Sequence, residues 1–369
     1  MRDFRERAFY LCFGLQTGRT MRKGRLTLLF FGLSPRAPLP SPMIIMSFAF
    51  AAVLFCVSCT SGKSLSPDIP AGVYSFSSGR DILATRVGLQ IRPPRGGDTP
   101  TRADDWYLIR RLDLFVFNDD EIGALDAYTR SYAYSPSSVT VHSASGGKRL
   151  VAIANYAFPD DVATRIFCYE DLCRTVVDFT DDHPSFPVMS GESRFVAGED
   201  EAPGLLLEPL MSTVEIRALR CRMDDGSTLR DVRVYLTGVG NRAEVLRQEG
   251  FLPAETLNNG GLSETDLGRL AYSGMVYKYL GNGRDGGNYG SAVLYCYPNE
   301  AEDESVASPY TRLVVEGVLD GRTCYYPIPI NRGAGAGEPG VGRNCRYVFD
   351  LTLTRHGTDH PFDDVLPPP

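Results

Sequence analysis

From Leu83 to Ile91 the chain alternates without a break, with Leu83, Thr85, Val87, Leu89 and Ile91 on one side and Ala84, Arg86, Gly88, Gln90 and Arg92 on the other. Side chains repeat every two residues along a strand and every 3.6 along a helix, so this run buries a face only as a half-buried strand. Similar strands are predicted at Arg149 to Ala154, Thr213 to Leu219, Asp231 to Val239, Ala292 to Tyr297, Arg312 to Leu319, Thr323 to Ile328 and Arg346 to Thr354. In the last, Tyr347, Phe349, Leu351 and Leu353 align. LIRRLDLFVF differs: Leu112, Leu114 and Val116 share one face while Phe115 and Phe117 hold the other, which suits a central strand covered on both sides. Asp320-Gly321 supplies the dipeptide that a tight hairpin favours, because both central residues need positive φ. With 37 glycines, 25 prolines and 11% aromatics, the composition is that of short strands joined by many turns. The fold class is all-β with minor helix. The strongest helical candidate is Val162 to Val176, where Val162, Ile166, Tyr169, Leu172, Cys173 and Val176 fall at helical spacing behind the capping acids Asp160 and Asp161.

A chain of 369 residues exceeds one ordinary sandwich and suits two domains with separate cores. The boundary is expected at Asp224-Asp225-Gly226-Ser227, giving an N-terminal domain over 103–225 and a C-terminal domain over 226–369. The net charge of −7 offers no basic face to a phosphate backbone, so nucleic acid is not a main partner. Of the 38 basic residues only Lys23, Lys63, Lys148 and Lys278 are lysines, so an arginine-specific protease would meet many candidate sites, of which the exposed ones count.

The run Met43 to Cys59 is apolar, uncharged and too short to span a bilayer comfortably, which marks residues 1–58 as an export and signal region. Met21 and Met43 are both candidate starts. The run ends Val57-Ser58-Cys59 before a polar stretch and resembles the lipobox of bacterial lipoproteins, which implies lipidation at Cys59. Cys56 stands where that motif prefers leucine. Downstream, Cys168, Cys173, Cys221, Cys296, Cys324 and Cys345 allow fifteen full disulfide pairings, and free buried thiols are the alternative.

No motif for catalysis stands out. Gly281 to Gly286 spells GxGxxG without the strand before and helix after that a dinucleotide site needs, and is expected to be a surface loop. His142, His183, His356 and His360 are expected in turns, and none forms an HExxH pair. Asp181-Asp182-His183-Pro184 is expected to be a solvated turn. Neither a GxSxG elbow nor a Walker loop occurs. The chain is expected not to be an enzyme, with no cofactor and no metal.

The segments Tyr295-Cys296-Tyr297, Leu313 to Gly317, Thr323 to Ile330, Gly342 to Tyr347 and Leu351 to Thr354 resemble the fimbrillin family, the type V pilins of Bacteroidales. LDLFVFND at Leu112 to Asp119, KRLVAIAN at Lys148 to Asn155 and LEPLMSTVEI at Leu207 to Ile216 resemble the corresponding family segments in the same order. The resemblance implies two transthyretin-like β-sandwich domains and export as an outer-membrane lipoprotein. It further implies cutting by an arginine-directed protease that frees the first strand, and filling of the groove by a strand of another fimbrial subunit. Leu83 to Ile91 matches the expelled strand. Arg102, in the loop that follows, is the expected cut, with Arg92 and Arg95 competing, so residues 59–102 form a lipidated leader. The implied function is a structural or adhesive subunit of a cell-surface fimbria, with a host surface ligand as a further partner of an adhesive one. The alternative is a lipid-anchored binding protein that never polymerises. Family pilins continue past the strand matching Arg346 to Thr354 into a donor strand, whereas HGTDHPFDDVLPPP offers none. The expectation is a subunit that accepts a strand without donating one, at a fimbrial tip.

Overall fold

The structure, a computed structural model, describes residues 74–75, 81–96, 107–199, 203–246, 253, 255–284, 287–301, 309–332 and 340–362. All of these lie within the unit Ile69–Pro369. Seven longer strands form its N-terminal part: β1 Ile82–Ile91, β2 Leu112–Asn118, β3 Leu125–Ser131, β4 Ser138–Ala144, β5 Gly146–Ala154, β6 Met189–Ala197 and β7 Gly204–Pro209. Their order across the sheet is β3-β2-β5-β6-β7-β1-β4, with the two-residue strand Tyr74–Ser75 beside β3. The sheet bends where β6 meets β7: they pair only at Met189 with Pro209 and Ser190 with Glu208, and a side chain at Gly191 would collide with the Leu206 carbonyl. The bend returns β4 to β3, where the Ala144 N–H donates to Asp126 Oδ2 at 2.8 Å. The result is a two-layered, all-β sandwich.

Seven more strands follow: β8 Ser212–Cys221, β9 Arg230–Thr237, β10 Tyr277–Gly281, β11 Ala292–Cys296, β12 Arg312–Leu319, β13 Arg322–Pro329 and β14 Arg346–Leu353. β8 has β11 and Asn288–Tyr289 antiparallel to it and β14 parallel to it. A second sheet runs β10-β9-β12-β13. The turn at Asp224–Ser227 lies between β8 and β9. The β12–β13 hairpin closes on Asp320 and Gly321 with φ of 49° and 78°, as the turn chemistry requires.

The alternation in β2 has the expected consequence. Leu112, Leu114 and Val116 join an inner cluster with Val87, Leu89, Val141, Leu150 and Leu207. Phe115 and Phe117 enter a larger cluster that also takes in Val214, Ile216, Leu294 and Leu313 from the C-terminal strands. Two charge groups are buried within this framework. Asp113 accepts from Arg111 Nε at 2.8 Å, Arg130 Nε at 2.7 Å and the Tyr128 hydroxyl. Lys148 lies 3.0 Å from Asp126 and donates to Asn118 Oδ1 at 2.6 Å.

The long helix expected over Val162 to Val176 does not form. In its place are a 3-10 turn, Val162–Thr164, the five-residue helix α1, Tyr169–Cys173, and the short strand Val176–Asp178. The Asp171 carboxylate accepts the N–H groups of Phe167 and Cys168 at 3.0 and 3.2 Å, which starts a fresh helix at Tyr169 and leaves Cys168 extended. Val176–Asp178 then pairs with Arg242–Glu244, a non-local contact that outweighs the local spacing.

Candidate functional site: the seat of the first strand

β1 lies between two strands distant in sequence. It pairs antiparallel with β4 from Ile82–Ala144 to Gly88–Ser138, and parallel with β7 from Gly88–Gly204 to Ile91–Leu207. The core face is the expected one: Thr85, Val87 and Leu89 are buried, and Leu83 and Ile91 are half-buried. Ala84, Arg86 and Gln90 are exposed on the other side, where Arg86 Nε donates to Ser138 Oγ at 3.1 Å. Burial of Val87 and Leu89 contributes roughly 3–6 kcal/mol before ordering costs. Without β1, two strand edges and one side of the inner cluster would lie open.

Where β1 ends, the chain is held a second time. The Arg92 N–H donates to the Leu207 carbonyl at 2.8 Å, and the Arg95 N–H to the Asn344 carbonyl at 2.8 Å. The Arg346 N–H returns a bond to the Arg95 carbonyl at 2.7 Å. Asn344, 1% exposed and in the left-handed region at φ 50°, donates its side-chain amide to the carbonyls of Arg92 and Pro93, both at 3.2 Å. Arg95 Nη2 reaches Glu208 Oε1 at 2.7 Å, and that bond holds the guanidinium pKa above its ordinary value. Gly96 approaches the Arg346 carbonyl with φ 85°, so a side chain there would be both strained and blocked. A cavity of about 290 Å³ flanks this exit, lined by residues that include Ile91, Tyr107, Ile109, Ser137, Thr213 and Arg346. Burial pushes the Tyr107 phenol up to about 12.

The β13–β14 connection that grips the exit is itself anchored. Buried Arg343 donates to the carbonyls of Pro209, Val245, Ser190 and Glu208 at 3.2, 3.3, 3.4 and 2.6 Å, and to Ser190 Oγ at 2.9 Å. Sequence reasoning singled out none of Glu208, Arg343 or Asn344. One signal was available: Glu208 is the sole charge in the apolar run Leu205 to Met211.

Cys59 and Arg102 lie outside the described residues. Arg92 and Arg95 are described, and both have main-chain hydrogen bonds. The remaining candidates do not converge on a reactive centre, and among the described residues no group of three or more His, Cys, Asp or Glu could hold a metal ion. Asp182 is not solvated: it is 2% exposed and accepts the N–H groups of His183 and Val188 at 2.7 and 2.9 Å and the Tyr297 hydroxyl at 2.9 Å. Burial pushes its carboxyl up to about 6 despite these bonds. His142 lies within β4 rather than in a turn, its position set by pairing opposite Ala84. A strand, β10, does precede the GxGxxG segment, but the short strand Asn288–Tyr289 follows it, where a dinucleotide site needs a helix. The six cysteines downstream of Cys59 are free thiols, four of them buried.

No protein-family model and no curated protein matches the sequence. Solved structures do match it. A candidate cell adhesion protein from Bacteroides eggerthii DSM 20697 superposes with a TM-score of 0.52 at 17% identity, over 77% of this chain and 93% of that one. A candidate cell adhesion protein from Parabacteroides distasonis ATCC 8503 gives 0.51 at 16%, over 78% and 95%. A fimbrilin from Porphyromonas gingivalis W83 gives 0.51 at 14%, over 75% and 92%. At such identities the likeness is one of fold, and this chain has the fold of fimbrilin and these cell adhesion structures.

Proposed function

We propose that this chain is a structural or adhesive subunit of a cell-surface fimbria, assembled by replacing β1 with a strand from another subunit. The observation that carries the reading is the seat of β1. The strand fills the inner core between β4 and β7, and among the described residues the next strand begins at Leu112. One cut between them would free β1 and leave every later described strand whole. The vacated seat would then offer two strand edges and an apolar slot to an incoming strand, the mode of β-strand addition. The fimbrilin and cell adhesion structures that share this fold support the same reading.

In this scheme Cys59 carries the lipid that holds the precursor at the outer membrane, and the cut follows Arg102 within the leader 59–102. A protease binds its substrate as an extended chain, so it would first have to break the main-chain bonds that hold Arg92 and Arg95. That counts against a cut at Arg92 or Arg95. The test is to treat the purified full chain with an arginine-specific protease and follow intact mass and electrophoretic mobility. Because the chain is expected to accept a strand without donating one, the cut protein is then mixed with a peptide carrying an alternating apolar strand. Loss of the residues through Arg102, followed by uptake of that peptide in a complex that survives mild denaturant, is the expected result. A chain that is cut there yet takes up no strand would overturn the assembly step.

A second reading, a lipid-anchored surface binding protein that does not polymerise, is favoured by an open groove of about 1010 Å³. Tyr272, Tyr277, Tyr279, Tyr295 and His183 are among its lining residues. The same experiment separates the two, because this reading expects a full-length monomer.

A further inference from the structure

The site that holds β1 continues past the strand. Beyond Ile91 the next residues leave the apolar slot and lie against a different surface, made by Glu208 at the end of β7 and by the Asn344–Arg346 entry into β14. That surface supplies one carboxylate, one buried side-chain amide, one main-chain acceptor at the Asn344 carbonyl and one main-chain donor at the Arg346 N–H. Arg343 pins the segment from behind through five hydrogen bonds, so the surface is built in advance of its occupant. The resident chain also leaves part of it unused. Asn344 Oδ1 is buried with no hydrogen-bond partner, while Pro93 and Pro94 beside it carry no N–H to offer.

We propose that this surface is a second subsite of the strand-accepting site, reading the residues that follow an inserted strand. The inference rests on the strand-exchange function proposed above. The occupant is an extended segment of another subunit, running in the direction of β1. It places aliphatic or β-branched residues at the positions of Val87 and Leu89, and an arginine or lysine four residues past the end of the strand, where Arg95 now meets Glu208. The apolar slot accepts many alternating sequences, since burial is not directional. A carboxylate that meets Arg95 at 2.7 Å and the Arg92 guanidinium only at 4.0 Å, together with a pair of main-chain bonds at Arg95, sets the register and favours a basic residue at the Arg95 position.

The test uses the full chain with a sequence-specific protease site inserted between residues 97 and 106, cut once so that the leader stays bound without a covalent link. Fluorescent peptides spanning residues 81–96 and 81–91, and the longer one carrying Arg95→Glu, are exchanged into the seat and their release is timed. The expected result is that the longer peptide leaves about tenfold more slowly than the shorter, and that Arg95→Glu removes most of that advantage. In a chain carrying Asn344→Gly, which keeps the left-handed backbone while deleting the amide, the two unmodified peptides should approach one another. Equal release of the 81–96 and 81–91 peptides from the cut but otherwise unaltered chain would overturn the second subsite and leave strand exchange standing. Failure of every peptide to replace the leader would overturn both.

Discussion

At the scale of single residues, the buried polar groups show where burial and hydrogen bonding compete. Asp182 joins the segment ahead of β6 to Tyr297 near the end of β11, and it does so with donors that carry no full charge. Its folded pKa of about 6 exceeds the unfolded carboxylate value of about 3.9. The stability it contributes is therefore complete below about pH 4 and is lost as the pH rises through about 6, a change on the order of 2–3 kcal/mol. Asp182→Asn should remove that slope, so the stability of the variant relative to the parent should rise between pH 4 and 7. Denaturant midpoints measured across that range check this, and parallel profiles for the two proteins would refute it. Asp182 is also a limit of sequence reading. DDHP has the composition of an exposed turn, and the strand that covers it comes from more than a hundred residues away. Asn344 and Glu208 were hidden for a similar reason, because their partners at Arg92 to Arg95 lie far off in sequence.

Elements divide by how local their causes are. β1, β2, β12 and β13 follow from period-two patterning and one hairpin dipeptide, all contained within a few residues. No strand is expected from the sequence at β3, β4, β6, β7 or β10. Asp126 in β3 is buried against Lys148, so a charge stands on a core-facing position and interrupts the apolar rhythm. The helix expected over Val162 to Val176 is broken by the Asp171 cap and by the pairing of Val176–Asp178 with Arg242–Glu244. For β1 the patterning makes a quantitative claim. Leu89→Ala removes a buried side chain from the inner cluster and should cost about 2–4 kcal/mol. It should lower the denaturant midpoint without raising the slope, and it should speed release of β1 from a chain cut in the following segment. An unchanged midpoint would mean that β1 is not held by its apolar face.

At the scale of the whole molecule, the proposed life of the chain begins at its leader. Cys59→Ala should block incorporation of labelled fatty acid and leave the protein out of the outer-membrane fraction; labelled variant protein there would remove Cys59 from its assigned role. What the sequence determined by itself is the all-β class, the identity of β1 and its core-facing residues, and the tight β12–β13 turn. These depend on side-chain period and local φ preference, which are properties of neighbouring residues. Only the tertiary structure decided that β1 lies between β4 and β7, that β14 runs parallel to β8, and that Glu208 and Asn344 meet the exit of β1. A strand's edge carries the same N–H and C=O groups whatever its sequence, so the choice of partner is made by how the apolar faces of distant strands close over one another.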